Sequence, residues 1–104
     1  MSALEQIKKI IVEKANPDKI ILFGSRARGV HREDSDYDIL IVKNDISQDK
    51  HLVGFIYKEF YNRKLGVPVD LLLIDTDKYN KLSNETGYVY KKIKQEGEII
   101  YEAV

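Results

Sequence analysis

Apolar residues fall into two rhythms along this chain, and the switches between them outline a fold. Leu4, Ile7, Ile10 and Ile11 recur at helical spacing, so the pattern predicts an amphipathic helix over Ser2 to Ala15. Ser2 with Glu5 fits a capping box at its start, and Asn16-Pro17 stops it. The rhythm then collapses into a continuous run, Ile20-Ile21-Leu22-Phe23, which suits a strand over Lys19 to Phe23 buried on both faces. Gly24 ends that run. Ser25 to Gly29 opens a short helix, and Val30 to Ser35 is a polar loop. Asp36 to Lys43 is the second strand, and alternation puts Asp36, Asp38, Leu40 and Val42 on one face and Tyr37, Ile39 and Ile41 on the other.

A turn-rich connector, Asn44 to Asp49, leads to a second long helix over about Gln48 to Leu65. Leu52, Val53, Ile56, Phe60 and Leu65 line its inner side, and Gly66 is its stop. Val67 to Ile74 is the third strand, with Pro68 marking an end or edge and Asp70 set among Val69 and Leu71-Leu72-Leu73. Thr76 to Glu96 reads as helical with a break near Ser83-Asn84. Its inward residues are Leu82, Val89 and Ile93, and Gly97 is the residue just past its end. Glu98 to Tyr101 is a short terminal edge strand. Helix and strand alternate, which makes this an α/β domain with a small sheet.

Composition narrows the function without naming it. A length of 104 residues allows one domain, 1–104. Lys+Arg and Asp+Glu both number 17, so the chain lacks the basic excess that a general nucleic-acid or membrane-surface binder needs. A local basic patch stays compatible with that balance. With no cysteine, disulfides and thiolate metal sites are impossible. Glu5, Lys8 and Lys9 interrupt the first apolar pattern, so no signal peptide is expected, and no apolar run approaches the ~20 residues of a membrane span. The expected location is the cytoplasm.

Three carboxylates stand at apolar strands: Asp36 and Asp38 at the head of one, Asp70 within the next. A carboxylate there is costly unless it is paired or binds a cation. If the two strands are neighbours the three converge, and all-oxygen ligands of this kind favour Mg²⁺ or Mn²⁺. Two such ions are the usual arrangement for in-line phosphoryl or nucleotidyl transfer. A D-x-D alone mostly marks a surface turn, and an EF-hand is excluded because Leu40 stands where Asp or Asn is required. The glycine turn gives the pair its meaning. Gly24 lets the backbone approach a ligand, the N–H groups from Ser25 onward can face a phosphate, and Arg26 and Arg28 supply charge. It is not a Walker A loop, since no G-K-[ST] follows. His31 and Arg32 read as loop-surface residues.

At these residues the chain resembles the minimal nucleotidyltransferases of the DNA polymerase beta-like superfamily. The shared signature is Gly24-Ser25, ten residues, then Asp36-Tyr37-Asp38; the fuller G-S-x-A-x-G and S-D-x-D forms are matched, and Asp70 in V-D-L-L-L-I matches the third carboxylate. The resemblance implies a small mixed sheet flanked by helices. It implies two Mg²⁺ ions on Asp36 and Asp38, with Asp70 completing the metal site where the nucleophile binds. Gly24, Ser25 and Arg28 would bind the nucleotide, an acceptor hydroxyl would attack the α-phosphate of ATP, and pyrophosphate would leave. The chain has no room for the extra domains of polymerases or antibiotic-modifying members. Members of this length are typically the antitoxin half of HEPN–MNT pairs, which transfer AMP from ATP to a tyrosine of the HEPN toxin. Two other functions stay open: an antitoxin that acts by contact alone, and nucleotidyl transfer to a small molecule or an RNA end.

Seven tyrosines in 104 residues is rich. Tyr57 and Tyr61 lie one helical turn apart, Tyr88 and Tyr90 sit near the start of the last helix, and Phe55 falls off the inner face of its own. Tyrosine is enriched at interfaces, so the set points to a protein partner, in a homo- or hetero-oligomer.

Overall fold

β1 (Lys19–Phe23) and β2 (Tyr37–Lys43) run antiparallel at the centre of one four-stranded sheet. β3 (Val69–Asp75) lies parallel to β2 on one edge, and β4 (Glu98–Glu102) antiparallel to β1 on the other. The computed structural model describes all 104 residues, Met1–Val104. The sheet is mixed because the two kinds of connection differ in reach. A one-turn helix and a loop join β1 to β2 in a local reversal, whereas a whole helix crosses over between the parallel β2 and β3.

Helices cover both faces. α1 (Ala3–Ala15) and α3 (Leu52–Asn62) pack Ile7, Ile10, Ile11, Ile56 and Phe60 against Ile20, Leu22, Ile39, Ile41 and Leu71. On the opposite face α4 (Thr76–Leu82) and α5 (Val89–Glu96) pack Tyr79, Leu82 and Ile93 against Ile21, Leu40, Val42 and Ile74. The two rows of β2 therefore separate as the alternation predicts. Each buried aliphatic side chain contributes about 1.5–3 kcal/mol, which is what sets strand register in so small a domain. Ser2 caps α1 by accepting from the Glu5 N–H at 3.1 Å, and Asn16 ends it in the left-handed region, φ 48°.

Several boundaries differ from expectation. α3 spans Leu52–Asn62, not Gln48 to Leu65. Asp49 is held by Lys43 at 3.0 Å before the helix begins, and after it Lys64 and Gly66 turn the chain at φ 54° and 75°. Asp36 precedes β2 rather than opening it, and β3 starts at Val69, after Pro68. The gap between α4 and α5 runs from 83 to 88, wider than a break at Ser83-Asn84. Val89 is 52% exposed rather than inward, because α5 begins there and only Ile93, one turn on, reaches the core. Gly97 follows the end of α5 as expected, in an extended conformation, φ −77° and ψ 165°. What requires glycine there is space: a Cβ would collide with the Ile93 carbonyl and lie 2.8 Å from Ile21 Cγ2. No helix is long and apolar enough to cross a membrane.

Candidate active site

The antiparallel pairing of β1 with β2 decides where the glycine turn meets the carboxylates. Phe23, the last residue of β1, pairs with Asp38 near the start of β2, and Asp38 pairs with Asp70 near the start of β3. Adjacent strands lie about 4.8 Å apart, so Asp38 and Asp70 stand side by side on one face of the sheet. Asp36 lies two residues before Asp38, exposed, just ahead of β2. The expected neighbourhood of the second and third strands is thus present, although the turn and the carboxylates meet at opposite ends of their own strands.

Gly24 is in the left-handed region, φ 72°, and opens the one-turn helix α2 (Gly24–Arg28). A Cβ at this position would run into Asp38 Oδ2 and lie 3.1 Å from Asp38 Cγ. Two requirements therefore meet in one residue: a backbone angle that L side chains resist, and room for the Asp38 carboxylate. Ser25, next in α2, is half-buried.

Asp38 is half-buried, Asp70 exposed. Burial, then the charges of Asp70 and of Asp36, push the Asp38 carboxyl above its ordinary range, and Arg28 pulls it partly back. None of the three aspartates enters an ion pair; every salt bridge of the chain lies elsewhere. This is an acidic group with no ion-pair partner, made of oxygen donors only, and its chemistry fits a hard divalent cation. It is not a closed cage, for no three His, Asp or Glu side chains are gathered at metal-holding distance. Like charges hold one another apart, so a cation bound here would have to draw the exposed carboxylates in.

The two arginines of α2 have different work. Arg26 Nε donates to the Ser35 carbonyl at 3.0 Å and Nη2 to the Glu33 carbonyl at 3.1 Å, while its Cζ lies 3.9 Å from the centre of the Tyr37 ring. It clasps the loop before β2 to the glycine turn and is not free for phosphate. Arg28 is exposed and borders a cleft of about 190 Å³, with Gly24 and Phe23 on its own side and Val89, Lys92, Ile93 and Glu96 of α5 opposite. Lys92 and Val89 escaped the reading of the motifs. The only sequence signal for either was a basic residue and an apolar one at the start of the last helix. His31 and Arg32 are exposed loop residues, as expected.

The tyrosines also divide. Tyr57 is committed, its hydroxyl accepting the Leu71 N–H at 2.8 Å along the outer side of edge strand β3. Tyr79 is buried, and Tyr90 packs on it edge to face. Phe55, Tyr61 and Tyr88 remain exposed.

Comparison with known proteins agrees with this geometry. The family model described as polymerase beta, nucleotidyltransferase, matches residues 5–103. A Methanocaldococcus jannaschii relative, provisionally named protein adenylyltransferase, is 37% identical over 94 residues, covering 89% of this chain and 86% of its own. The protein adenylyltransferase MntA of Thermococcus cleftensis is 38% identical over 73 residues, 69% of this chain and 71% of its own. Among solved structures, a chain described as a toxin-antitoxin with AMP-PNP superposes with a TM-score of 0.63 at 19% identity, covering 99% of this chain and 75% of that one. A Sulfolobus solfataricus chain, provisionally named nucleotidyltransferase, gives a TM-score of 0.59 at 20% identity, with coverage of 96% and 78%. At such identities the structural likeness speaks for the fold, while the family model and the relatives speak for descent. The chain belongs to the polymerase beta nucleotidyltransferase family, and it is a nucleotidyltransferase of the minimal kind.

Proposed function

We propose that this protein is a Mg²⁺-dependent protein adenylyltransferase, the antitoxin of a toxin–antitoxin pair, which moves AMP from ATP to a tyrosine of a HEPN toxin. The observation that carries the reading is Asp38 held between Gly24 and Asp70, uncompensated by any basic partner in an ion pair. The names of the relatives, protein adenylyltransferase, support AMP transfer to protein, and the toxin-antitoxin neighbour with AMP-PNP supports the pairing and the nucleotide.

In this reading Asp36 and Asp38 would hold two Mg²⁺ ions, with Mn²⁺ able to substitute, and Asp70 would complete the site on the acceptor side. When bound, such cations would supply charge neutralisation at the attacking and leaving oxygens. Gly24 brings the backbone close to the triphosphate, and Ser25 and Arg28 bind its β- and γ-phosphates. Asp70 orients the acceptor hydroxyl and takes its proton. The hydroxyl oxygen bonds to the α-phosphorus, the bond from that phosphorus to the bridging oxygen breaks, and pyrophosphate departs with the electron pair. The exposed Phe55, Tyr61 and Tyr88 are available to a partner surface.

Labelled ATP, Mg²⁺ and the product of the gene adjacent to this protein's own make the test. Transfer of label to that product is expected, and the combined Asp36→Asn and Asp38→Asn variant should abolish it while remaining folded. Labelling by the double variant would refute the metal-site assignment. Wild-type protein that binds the partner without ever labelling it would favour neutralisation by contact.

A further inference from the structure

The cleft between α2 and α5 is lined by Gly24, the residue that the Asp38 carboxylate approaches. Two cations face into it from opposite walls, Arg28 and Lys92. We infer that Lys92 is a second phosphate-binding residue, closing with Arg28 on the terminal phosphates of ATP and on the departing pyrophosphate. This rests on the nucleotidyl-transfer reading above and extends it to a residue outside the motifs.

The state of the other α5 lysines singles Lys92 out. Lys91 Nζ donates to Thr86 Oγ1 at 3.1 Å, and Lys94 Nζ donates to Asn84 Oδ1 at 3.0 Å. Both tie α5 to the segment before it. Lys92 has only a loose pair with Glu96, 3.9 Å apart and one helical turn away, and its side chain is 70% exposed. An exposed pair at that distance holds a lysine weakly. A polyphosphate offers several anionic oxygens where Glu96 offers one carboxylate, so Lys92 can turn from its helix neighbour to the ligand with little loss. Glu96 lines the same cleft and opposes the phosphates. It keeps Lys92 loosely paired when no nucleotide is bound, and it is the one like charge that a bound phosphate would meet in the cleft. Lys92 touches the part of the substrate that leaves, so its effect should follow the β- and γ-phosphates and be indifferent to the adenosine.

Calorimetric titration with ATP, inorganic pyrophosphate and AMP, each with Mg²⁺, reads this directly. Lys92→Ala should weaken ATP and pyrophosphate about tenfold, the low end for a charged hydrogen bond at an exposed site, and change AMP less than about twofold. Lys92→Arg should restore most of the affinity, and Glu96→Gln should tighten ATP. Melting temperatures of all three should stay near wild type, since neither side chain packs in the core. Unchanged ATP and pyrophosphate affinity in Lys92→Ala overturns the inference and leaves the enzyme reading intact. An equal loss for AMP overturns it too, because the contact would then not be to the terminal phosphates. Wild-type protein that binds neither ATP nor pyrophosphate sinks the nucleotidyl-transfer reading, and this inference with it.

Discussion

Arg26→Ala tests whether the clasp across the site is energetic or incidental. The substitution removes a half-buried hydrogen bond to the Ser35 carbonyl, an exposed one to the Glu33 carbonyl, and the guanidinium stacked 3.9 Å from the Tyr37 ring centre. A charged donor on a carbonyl contributes up to about 1.5–3 kcal/mol, but exposure of one bond holds the pair to about 1.5 kcal/mol together. The cation–π contact adds about 0.5–1 kcal/mol. The loss should therefore be about 2 kcal/mol, or roughly 10 °C in Tm for a domain of this size. The Arg26→Lys variant keeps the charge but cannot fork to two carbonyls, so it should recover less than half. Urea unfolding should show a lower midpoint with an unchanged slope. Amide exchange should quicken over residues 30–36, where Ser35 donates to the Arg32 carbonyl and Arg32 to Ser35 Oγ. Arg26→Ala within about 0.5 kcal/mol of wild type, with exchange over that loop unaltered, would refute the reasoning and return Arg26 to the pool of phosphate ligands.

Gly24→Ala should cost about 1–2 kcal/mol from its positive φ alone, while transfer activity should fall far more, because the methyl displaces Asp38; parallel melts and single-turnover labelling separate the two. Without Mg²⁺, Asp38→Asn should raise the melting temperature near pH 7. The folded carboxyl titrates above its unfolded value, so the native state loses stability as pH rises through that interval, and the gain should vanish below the ordinary value of 3.8. Millimolar Mg²⁺ should raise the wild-type melting temperature and leave the Asp38→Asn variant where it was. Tyr57→Phe should cost about 1 kcal/mol by leaving the Leu71 N–H to water, and sedimentation should reveal more self-association through the uncovered β3 edge.

Local rules made the signature and most elements legible. The alternation that put Leu40 and Val42 on one face of β2 and Ile39 and Ile41 on the other is what the two core clusters display, while Asp36 lies just ahead of the strand. Pro68 pointed to an end or an edge, and β3 begins just after it as an edge strand. Partnership between strands was an assumption, since nothing local to Asp70 says that it will lie opposite Asp38. The direction of β1 was equally hidden, because a buried run reads the same either way. Arg26 and Arg28 are indistinguishable as letters two positions apart. A one-turn helix sends them to different sides, and only the loop's carbonyls tell which is occupied. Val89 misled because an apolar residue at helical spacing before Ile93 reads as core, yet at the first residue of α5 it borders the cleft. Gly97 stands just past the end of α5, as its place in the sequence indicated, but for a reason the letters do not carry. The Ile93 carbonyl of its own helix and the Ile21 side chain of β1, not its own φ, leave no room for a side chain.

The route by which each aspartate arrives implies a separation of duties that can be measured. Gly24, Asp36 and Asp38 belong to the local β1–β2 reversal, and Asp38 sits half-buried on a central strand behind the glycine. Asp70 comes by the long crossover through α3, and it is exposed on edge strand β3, with Leu72 beside it 41% exposed. If the acceptor is a protein, as proposed, it would reach only the open side, so Asp70 would serve the acceptor while the reversal would serve the nucleotide. Asp70→Asn should then keep ATP affinity within about threefold of wild type, the change expected for one exposed charge, and abolish transfer of label. Asp38→Asn should lose both. Equal loss of ATP binding in the two variants would sink this division, and would mean that all three carboxylates act on the nucleotide as one unit.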